Sequence, residues 1–362
     1  MNNTNLTTNF ITGIRAIAVL MVFLVHSGGG GLSEISDLGK TIVYWGRYGV
    51  EIFFVISGFT IFYQFYEKDY NKMQFILIRF LRISIPYYPI LIFCFLMMYF
   101  KFQEPIYWMN KFNESNIEIK NLLYHMLYLG GFNLKYINTL IGVEWTLYIE
   151  MMMYLIFFIL IGFNIIRFNI INTLLFVIVL YSIQLYINEY LKLDPLLFHW
   201  SFIKYFYMFI LGGLAYLVRK KFDNFDSCIL NHSSNISIIF LFVLFFANAK
   251  YNLFKDIEEF FSIITFIAII FIRDNSFLAI FFNNRLFLFL GIISYSFYLW
   301  HAIVLGFDLF IIDSLKQFIF INFLYSFLMS TLLAYIWYLI FVQKIYAGIK
   351  RYFFDKFKNE TN

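Results

Sequence analysis

The chain has 362 residues, of which 62% are hydrophobic and only 14% are charged, and its mean hydropathy is +0.75. A water-soluble domain carries about 25% charged residues, so this sequence lacks the polar surface to cover itself in water. The composition excludes an ordinary soluble protein and predicts a chain that has the lipid bilayer as its solvent. The net charge of +5 does not require a nucleic-acid partner, because basic loops beside membrane spans account for it.

Long apolar segments recur along the whole sequence. Because a bilayer-spanning helix needs about 20 predominantly apolar residues, they predict an all-α fold, a polytopic transmembrane helix bundle of about ten spans. We expect one transmembrane domain over residues 1–345 and a basic cytoplasmic tail over 346–362, without a cleavable signal peptide. The predicted spans are 10–28, 42–64, 80–100, 142–162, 170–187, 201–218, 236–249, 259–272, 286–306 and 319–343.

The distribution of arginine and lysine predicts the orientation of these spans. If the N-terminus is cytoplasmic, every arginine outside the spans falls on the inner side, as the positive-inside rule requires. An even number of spans then places the C-terminus in the cytoplasm as well. We expect a multi-pass protein of the cell (inner, cytoplasmic) membrane of a bacterium. The two cysteines, Cys94 and Cys228, form neither a disulfide framework nor a paired metal motif.

The first span contains the stretch RAIAVLMVFLVH, which has Arg15 at one end and His26 at the other. The two residues are 11 positions apart, so they share one helix face and are separated by about 16 Å along the axis. Ionisable residues inside a span are costly and are functional candidates by default. A snorkelling arginine and an interfacial histidine are the plainer alternative interpretation.

Ionisable groups also mark the second and third spans. Arg47 and Glu51 are four positions apart in RYGVEIFFVISGF, the spacing of a helical ion pair that neutralises itself in lipid. Arg79 and Arg82 in RFLRISIPYYP share a face at the inner edge, and two forked guanidinium groups suit phosphate. Ordinary positive-inside flanking is the better explanation of this arginine pair when the pair is taken alone.

Ionisable groups also occur in the fourth and ninth spans. Glu150 in VEWTLYIEMMMYLIFF lies about two turns deeper than Glu144, where a carboxylate needs a partner or a proton. Tyr298 and His301 in LFLGIISYSFYLWH lie near the outer interface, where an aromatic belt is the alternative explanation. The predicted topology thus has an outer layer suited to proton chemistry and an inner layer suited to holding an anion. The outer layer is His26, Arg47, Glu51, Glu150 and His301, and the inner layer is Arg15, Arg79, Arg82 and Arg285.

The remaining histidines, His125, His199 and His232, are expected to be solvated or interfacial and without a chemical role. No cluster has the spacing of a metal site, so no metal is predicted.

Five stretches, in this order, resemble the acyltransferase-3 family of polytopic membrane acyltransferases. They cover residues 11–301 and read ITGIRAIAVLMVFLVH, GVEIFFVISGFTIF, RFLR, EWTLYIEMMMYLIF and LGIISYSFYLWH. The resemblance implies about ten core helices, acyl-CoA as donor, and transfer of an acyl group, usually acetyl, to a hydroxyl of a surface glycan or a related acceptor.

The resemblance also implies roles for individual residues. Arg15 and His26 match an Arg-ten residues-His motif with an essential histidine, and Arg79 and Arg82 match an Arg-x-x-Arg motif linked to the donor. Glu150 matches the acid that follows a tryptophan by five positions. The sequence departs from the family at Met151, where a second acid is common, and at Thr12-Gly13-Ile14-Arg15-Ala16, which replaces Asp-Gly-Leu-Arg-Gly.

These residues predict a membrane O-acyltransferase that uses acetyl-CoA or another acyl-CoA. His26 and Glu150 are the expected catalytic residues, with His26 either a general base or an acyl carrier. The expected donor-binding residues are Arg15, Arg79 and Arg82. The sequence does not choose the oxyanion or acceptor group among Arg47, Glu51, Tyr298 and His301.

Two other functions are compatible with these residues. A proton-coupled transporter or flippase of a glycan or lipid precursor also uses intramembrane Arg, Glu and His, although the sequence has no internal symmetry. A structural subunit would use its polar groups only to hold helices together. The expected acceptor is a cell-surface polysaccharide or its lipid-linked precursor. Tyr107, Trp108 and Tyr128 of the long outer loop could stack on a sugar, but interfacial anchoring is favoured. The oligomeric state is not predicted.

Overall fold

The computed structural model describes residues 9–67, 71–113, 117–163, 165–191, 194–222, 258–273, 276–312 and 317–360, with single positions at 236, 239, 243 and 314. Within this part of the chain the regular structure is helical and contains no strand, which confirms the all-α prediction. The α-helices are α1 Asn9–His26, α2 Leu32–Ile35, α3 Asp37–Trp45, α4 Gly49–Glu67, α5 Lys72–Tyr99, α6 Tyr107–Asn113, α7 Ile119–Met126, α8 Trp145–Gly162, α9 Ile170–Tyr190, α10 Pro195–His199, α11 Phe202–Phe222, α12 Glu258–Phe271, α13 Phe277–Phe282, α14 Arg285–Gly306, α15 Ile319–Trp337 and α16 Ala347–Glu360.

The number of spans is lower than predicted in the described part of the chain. Seven helical segments there are long and apolar enough to cross a membrane, and the 17-residue stretch Trp145–Ile161 is a shorter apolar helix. The predicted span 259–272 corresponds to the 14-residue α12, and the predicted span 236–249 lies outside the described residues except for three positions. The protein is therefore a multi-pass membrane protein, while the count of about ten and the side of each terminus stay predictions. The seven segments are Asn9–His26, Asp37–Glu67, Lys72–Tyr99, Ile170–Tyr190, Pro195–Phe222, Arg285–Gly306 and Ile319–Phe353.

The helices form two compact units, each with its own packed interior. The first unit is Met1–Lys68, Arg167–Tyr186 and Tyr205–Ser294, and the second is Asp69–Ile166, Ile187–Lys204 and Tyr295–Asn362. Each unit is assembled from segments that are far apart in the sequence, so the predicted boundary near residue 345 does not coincide with a boundary between them.

Close contact between α4 and α11 organises the first unit. A Cβ atom on Gly58 would lie 1.8 Å from the carbonyl oxygen of Phe209, and one on Gly212 would lie 1.9 Å from that of Val55. Small residues at reciprocal positions let two backbones approach, which is how helices associate where water supplies no hydrophobic driving force. The glycines on α4 and α11 therefore fix the distance between these helices.

The second unit is built around α5, a 28-residue helix that contains two prolines. The side chains of Asn71 and Gln74 form a capping box at its start, with hydrogen bonds of 2.8 and 3.1 Å. Pro86 and Pro89 lack the N–H groups that would bond to the carbonyls of Arg82 and Ile85, so α5 lacks two internal hydrogen bonds here. Near Pro86 the Tyr295 hydroxyl donates to the carbonyl of Ile83 at 2.9 Å, and the Trp337 Nε1–H donates to that of Pro86 at 2.9 Å. The irregular part of α5 is thus held by α14 and α15.

Candidate active site

Arg15 and His26 lie on one uninterrupted helix, as predicted. α1 runs from Asn9 to His26, so the helical spacing that places both residues on one face holds. The Arg15 side chain is half-buried, and the His26 side chain is exposed at the last position of the helix. The chain then turns through the four glycines Gly28–Gly31, which all have positive φ angles between 60° and 90°. Only glycine adopts such a run without strain, so this turn fixes how the chain leaves His26.

Arg47 and Glu51 lie in two different elements of the first unit. Gly46–Tyr48 is a 3₁₀ turn that contains Arg47, and Glu51 is in the first turn of α4. The Arg47 guanidinium is exposed and lies 3.7 Å from the ring centroid of Tyr44, whereas the Glu51 side chain is buried. Both residues lie within the span-length helical segment Asp37–Glu67, as predicted, although a 3₁₀ turn interrupts the α-helix at Arg47.

Arg79 and Arg82 lie deeper in their helix than predicted. α5 begins at Lys72 rather than at 80, which places Arg79 about 10 Å and Arg82 about 15 Å beyond its start. The Arg79 side chain is only 1% exposed, and that of Arg82 is half-buried. Both arginines therefore lie within the helix and not at its first residues, while their position at the inner edge of the membrane span stays a prediction. Simple positive-inside flanking does not explain a guanidinium that is buried two turns inside a helix.

Glu150 lies next to this arginine pair in the second unit. The Tyr154 hydroxyl donates a hydrogen bond to the Glu150 carboxylate from one turn further along α8. The Arg79 guanidinium lies 5.7 Å from the ring centroid of Tyr154 and is within electrostatic range of the Glu150 carboxylate. The predicted separation into an outer layer with Glu150 and an inner layer with Arg79 is therefore wrong for these two residues. A buried arginine beside a carboxylate and a phenol is the environment that a charge at this depth requires.

Tyr298 and His301 belong to the interior of the second unit and not to an interfacial belt. The Tyr298 hydroxyl donates to the carbonyl of Val143 at 3.0 Å and accepts from the Thr146 hydroxyl at 2.8 Å. The His301 side chain is 0% exposed, and its Nδ1 lies 2.6 Å from the carbonyl oxygen of Tyr298. The phenol proton of Tyr298 is thus already used, so this residue ties α14 to the start of α8 and is a poor oxyanion donor.

Glu144 lies directly before α8, and its side chain is hydrogen-bonded to the backbone of the preceding loop. The buried carboxylate accepts hydrogen bonds from the backbone N–H groups of Leu140, Ile141 and Gly142 at 3.0, 2.5 and 2.7 Å. Three such donors satisfy a carboxylate well, so Glu144 shapes the entry to α8. The three N–H groups lie only a few positions before Glu144 in the sequence. The sequence nevertheless contains no signal that this loop folds back onto the side chain.

His125, for which a solvated position was predicted, is buried instead. Its side chain is 4% exposed and its Nε2 lies 3.1 Å from the Thr139 hydroxyl, which donates at 2.8 Å to the buried Asn121 Oδ1. Burial lowers the pKa of His125 below its usual value, and the nearby Glu144 charge raises it by a smaller amount. This polar network holds the segment that follows α7 against the chain leading to α8.

The aromatic residues of the same loop have separate roles. Tyr128 is 5% exposed and shares a hydrogen bond of 2.9 Å with the Ser84 hydroxyl, so it is buried and not presented on the surface of the loop. The Trp108 ring packs edge-on against Trp200 at 4.9 Å, while Tyr107 is 65% exposed. Tyr107 and Trp108 stay candidates for an acceptor contact or an interfacial anchor.

Some relevant residues were missed at the sequence level. Tyr154 is four positions after Glu150, a spacing that brings two side chains of a helix together, so a local signal for this pair existed. Arg219, which is 2% exposed, donates from Nη1 to the carbonyls of Ile269 and Ile272 at 2.6 and 2.7 Å. It caps the end of α12 from a distant part of the sequence, and no local signal predicts that contact. His232 lies outside the described residues.

The described residues contain no group of three or more His, Cys, Asp or Glu side chains that could hold a metal ion. The cationic and hydrogen-bonding groups that they do bring together in the second unit are Arg79, Arg82, Glu150 and Tyr154, a set suited to an anionic ligand and to proton transfer.

Comparison with known proteins identifies the class to which this fold and this site belong. A family model described as an acyltransferase domain matches residues 8–343. The match covers nearly the whole chain, so the protein belongs to the acyltransferase-3 family of membrane acyltransferases. Searches of curated proteins and of solved structures returned no match.

Proposed function

We propose that the protein transfers an acyl group, with acetyl as the first choice, from cytoplasmic acyl-CoA to a hydroxyl group. The acceptor is a cell-surface polysaccharide or its lipid-linked precursor, and the protein acts in the cytoplasmic membrane of a bacterium. The observation that carries the proposal is the family match over residues 8–343, which includes every residue assigned a role below.

Arg79 and Arg82 are the proposed contacts for the phosphates of the donor. Guanidinium groups form charge-assisted, forked hydrogen bonds with phosphate oxygens. Arg82 is half-buried and can reach a ligand, and the buried guanidinium of Arg79 adds a second positive charge beside it. Arg15, on the face of α1 that carries His26, is the third proposed donor contact.

His26 is the proposed catalytic residue. In one route its ring takes the proton of the acceptor hydroxyl while the oxygen attacks the thioester carbonyl, the C–S bond breaks, and the CoA thiolate receives a proton. In the other route the ring nitrogen attacks the thioester carbonyl and expels the CoA thiolate, and the acyl group then moves from the ring to the hydroxyl oxygen, whose proton passes through the ring to the thiolate. Its position at the last residue of α1 supports both routes, since the ring lies at the end of a span, where an acceptor can approach it.

Glu150 is proposed to stabilise positive charge that develops during transfer, and the hydrogen bond from Tyr154 orients its carboxylate for this task. The remaining candidates for contacts with the acceptor or the oxyanion are Arg47, Glu51 and His301. The hydrogen bonds that Tyr298 already forms argue against such a contact for Tyr298.

Mass spectrometry of surface glycans tests the proposal in cells. A strain that lacks the gene should lose O-acyl groups from one glycan, and the wild-type gene should restore them, while His26→Ala should not. His199→Ala is the matched control, because that histidine also ends a helix but has no proposed role. Unchanged acylation with a reduced amount of surface glycan would instead favour a flippase and contradict the transferase.

A further inference from the structure

The helix at the C-terminal end of the chain changes its winding for nine residues. α15 continues into a π-helix over Tyr338–Tyr346 and then into α16 without a break. π-Helical turns are rare and often occur at functional sites. A π-helix of nine residues therefore indicates that this part of the second unit has a specific task.

The wider turn aligns aromatic and basic side chains along one line. The residues Tyr338, Val342, Tyr346 and Lys350 recur every four positions, and Gln343, Ala347 and Arg351 follow them directly. In an ordinary α-helix the line from Tyr338 to Lys350 would rotate by about 120°. Bonding from i to i+5 removes much of this rotation.

These side chains line a groove of about 530 Å³. Pockets for small ligands commonly have volumes of about 300–1,000 Å³. Lys350 and Arg351 supply two positive charges, Tyr338 and Tyr346 supply aromatic faces, and no carboxylate is among the described residues that line it. This combination suits a phosphate group attached to a planar or apolar body.

The groove adjoins the arginine pair of α5. Tyr346 lies within electrostatic range of both Arg79 and Arg82. A second, small cavity is lined by Gln74 and Ile78 of α5 together with Tyr346 and Lys350, so the two helices lie side by side here. The groove and the arginines therefore form one positively charged region at the same end of the second unit.

We propose that this groove binds a phosphate group and that Lys350 and Arg351 are its ligands. The phosphate belongs either to the nucleotide end of the acyl donor or to an anionic lipid headgroup. The first source rests on the proposed function, because it assumes a CoA thioester as donor. The second source does not depend on it.

Binding to the purified full-length protein in phosphatidylcholine nanodiscs tests the first source. CoA and dephospho-CoA, which lacks the 3′-phosphate, are titrated against wild type and the Lys350→Ala/Arg351→Ala variant. The variant should bind CoA at least about ten-fold more weakly and should no longer distinguish CoA from dephospho-CoA. Lys72→Ala/Lys344→Ala is the matched control, because it removes two positive charges from α5 and the π-helix at side chains that do not line the groove.

Mass spectrometry of lipids that copurify with the protein from mixed phosphatidylcholine and phosphatidylglycerol nanodiscs tests the second source. Loss of phosphatidylglycerol enrichment in the Lys350→Ala/Arg351→Ala variant, with CoA binding unchanged, supports the lipid headgroup. If neither CoA binding nor lipid enrichment differs from the Lys72→Ala/Lys344→Ala control, the proposal is overturned. Wild-type protein that binds no CoA would contradict the proposed function. The lipid measurement would still show whether the groove binds a phosphate group.

Discussion

At the scale of single residues, the site depends on which groups share a helix and which meet only after folding. Arg15 and His26 could be paired from the sequence because helical periodicity acts within one element. The proximity of Arg79 and Glu150 could not, because it joins α5 to α8 across a long sequence separation. Burial of His125 was missed for the same reason, since its partner Thr139 follows a loop of irregular backbone.

Arg82 provides a test of donor binding. Arg82→Ala should raise the KM for acetyl-CoA at least about ten-fold and change kcat less, because a contact with the nucleotide end does not touch the reacting carbonyl. Steady-state kinetics with varied acetyl-CoA measures this split. Arg167→Ala is the matched control, since Arg167 is an exposed arginine before α9 with no proposed role. Equal KM values for Arg82→Ala and wild type would leave Arg82 only a role in membrane topology.

His125 predicts a pH dependence of stability. Its pKa in the folded protein is lowered, so the unfolded chain binds the additional proton first as the pH falls below about 6.5. Stability contributed by the neutral ring is therefore present above that pH and is lost as the solution becomes more acidic. Thermal unfolding in detergent should show a steeper decrease in Tm from pH 7.5 to 5.5 for wild type than for His125→Gln. If Tm decreases equally with pH in the two proteins, protonation of His125 is not linked to unfolding.

At the scale of elements, the apolar helices were predictable but their ends and irregularities were not. The predicted span 80–100 misses the eight residues from Lys72, because a capping box and not hydropathy starts α5. The π-helix at Tyr338–Tyr346 has no composition that distinguishes it from an apolar α-helix. The reciprocal glycines of α4 and α11 were visible in the sequence, but their contact depends on the packing of the first unit.

The close contact between α4 and α11 predicts that adding one methyl group at Gly212 destabilises the folded protein. Gly212→Ala would place Cβ 1.9 Å from the backbone oxygen of Val55, so the two helices must separate. Overpacking of this kind costs about 1–3 kcal/mol, which should lower Tm and the monodisperse fraction in size-exclusion chromatography. Gly348→Ala is the control, because a Cβ there meets nothing within 4 Å and alanine favours the helix. Equal behaviour of the two variants would contradict the close approach of α4 and α11.

At the scale of the whole molecule, the sequence predicts that both termini lie in the cytoplasm. Single-cysteine variants Asn3→Cys and Asn362→Cys, made in a Cys94→Ala/Cys228→Ser background, test this with a membrane-impermeant maleimide. Both positions should react only after the membrane is permeabilised, as an even number of spans requires. Labelling of one terminus in intact cells and not of the other would establish an odd number of spans.

The central claim of the proposed function is that an acyl group is transferred from a CoA thioester and that His26 is the catalytic group. The most direct measurement adds [14C]acetyl-CoA to permeabilised membranes and counts hydroxylamine-sensitive label in the glycan and glycolipid fractions. Wild type should incorporate ester-linked label, His199→Ala should match it, and His26→Ala should lose at least about 100-fold in rate. Incorporation by His26→Ala at the wild-type rate, or none by folded wild type, would contradict this chemistry.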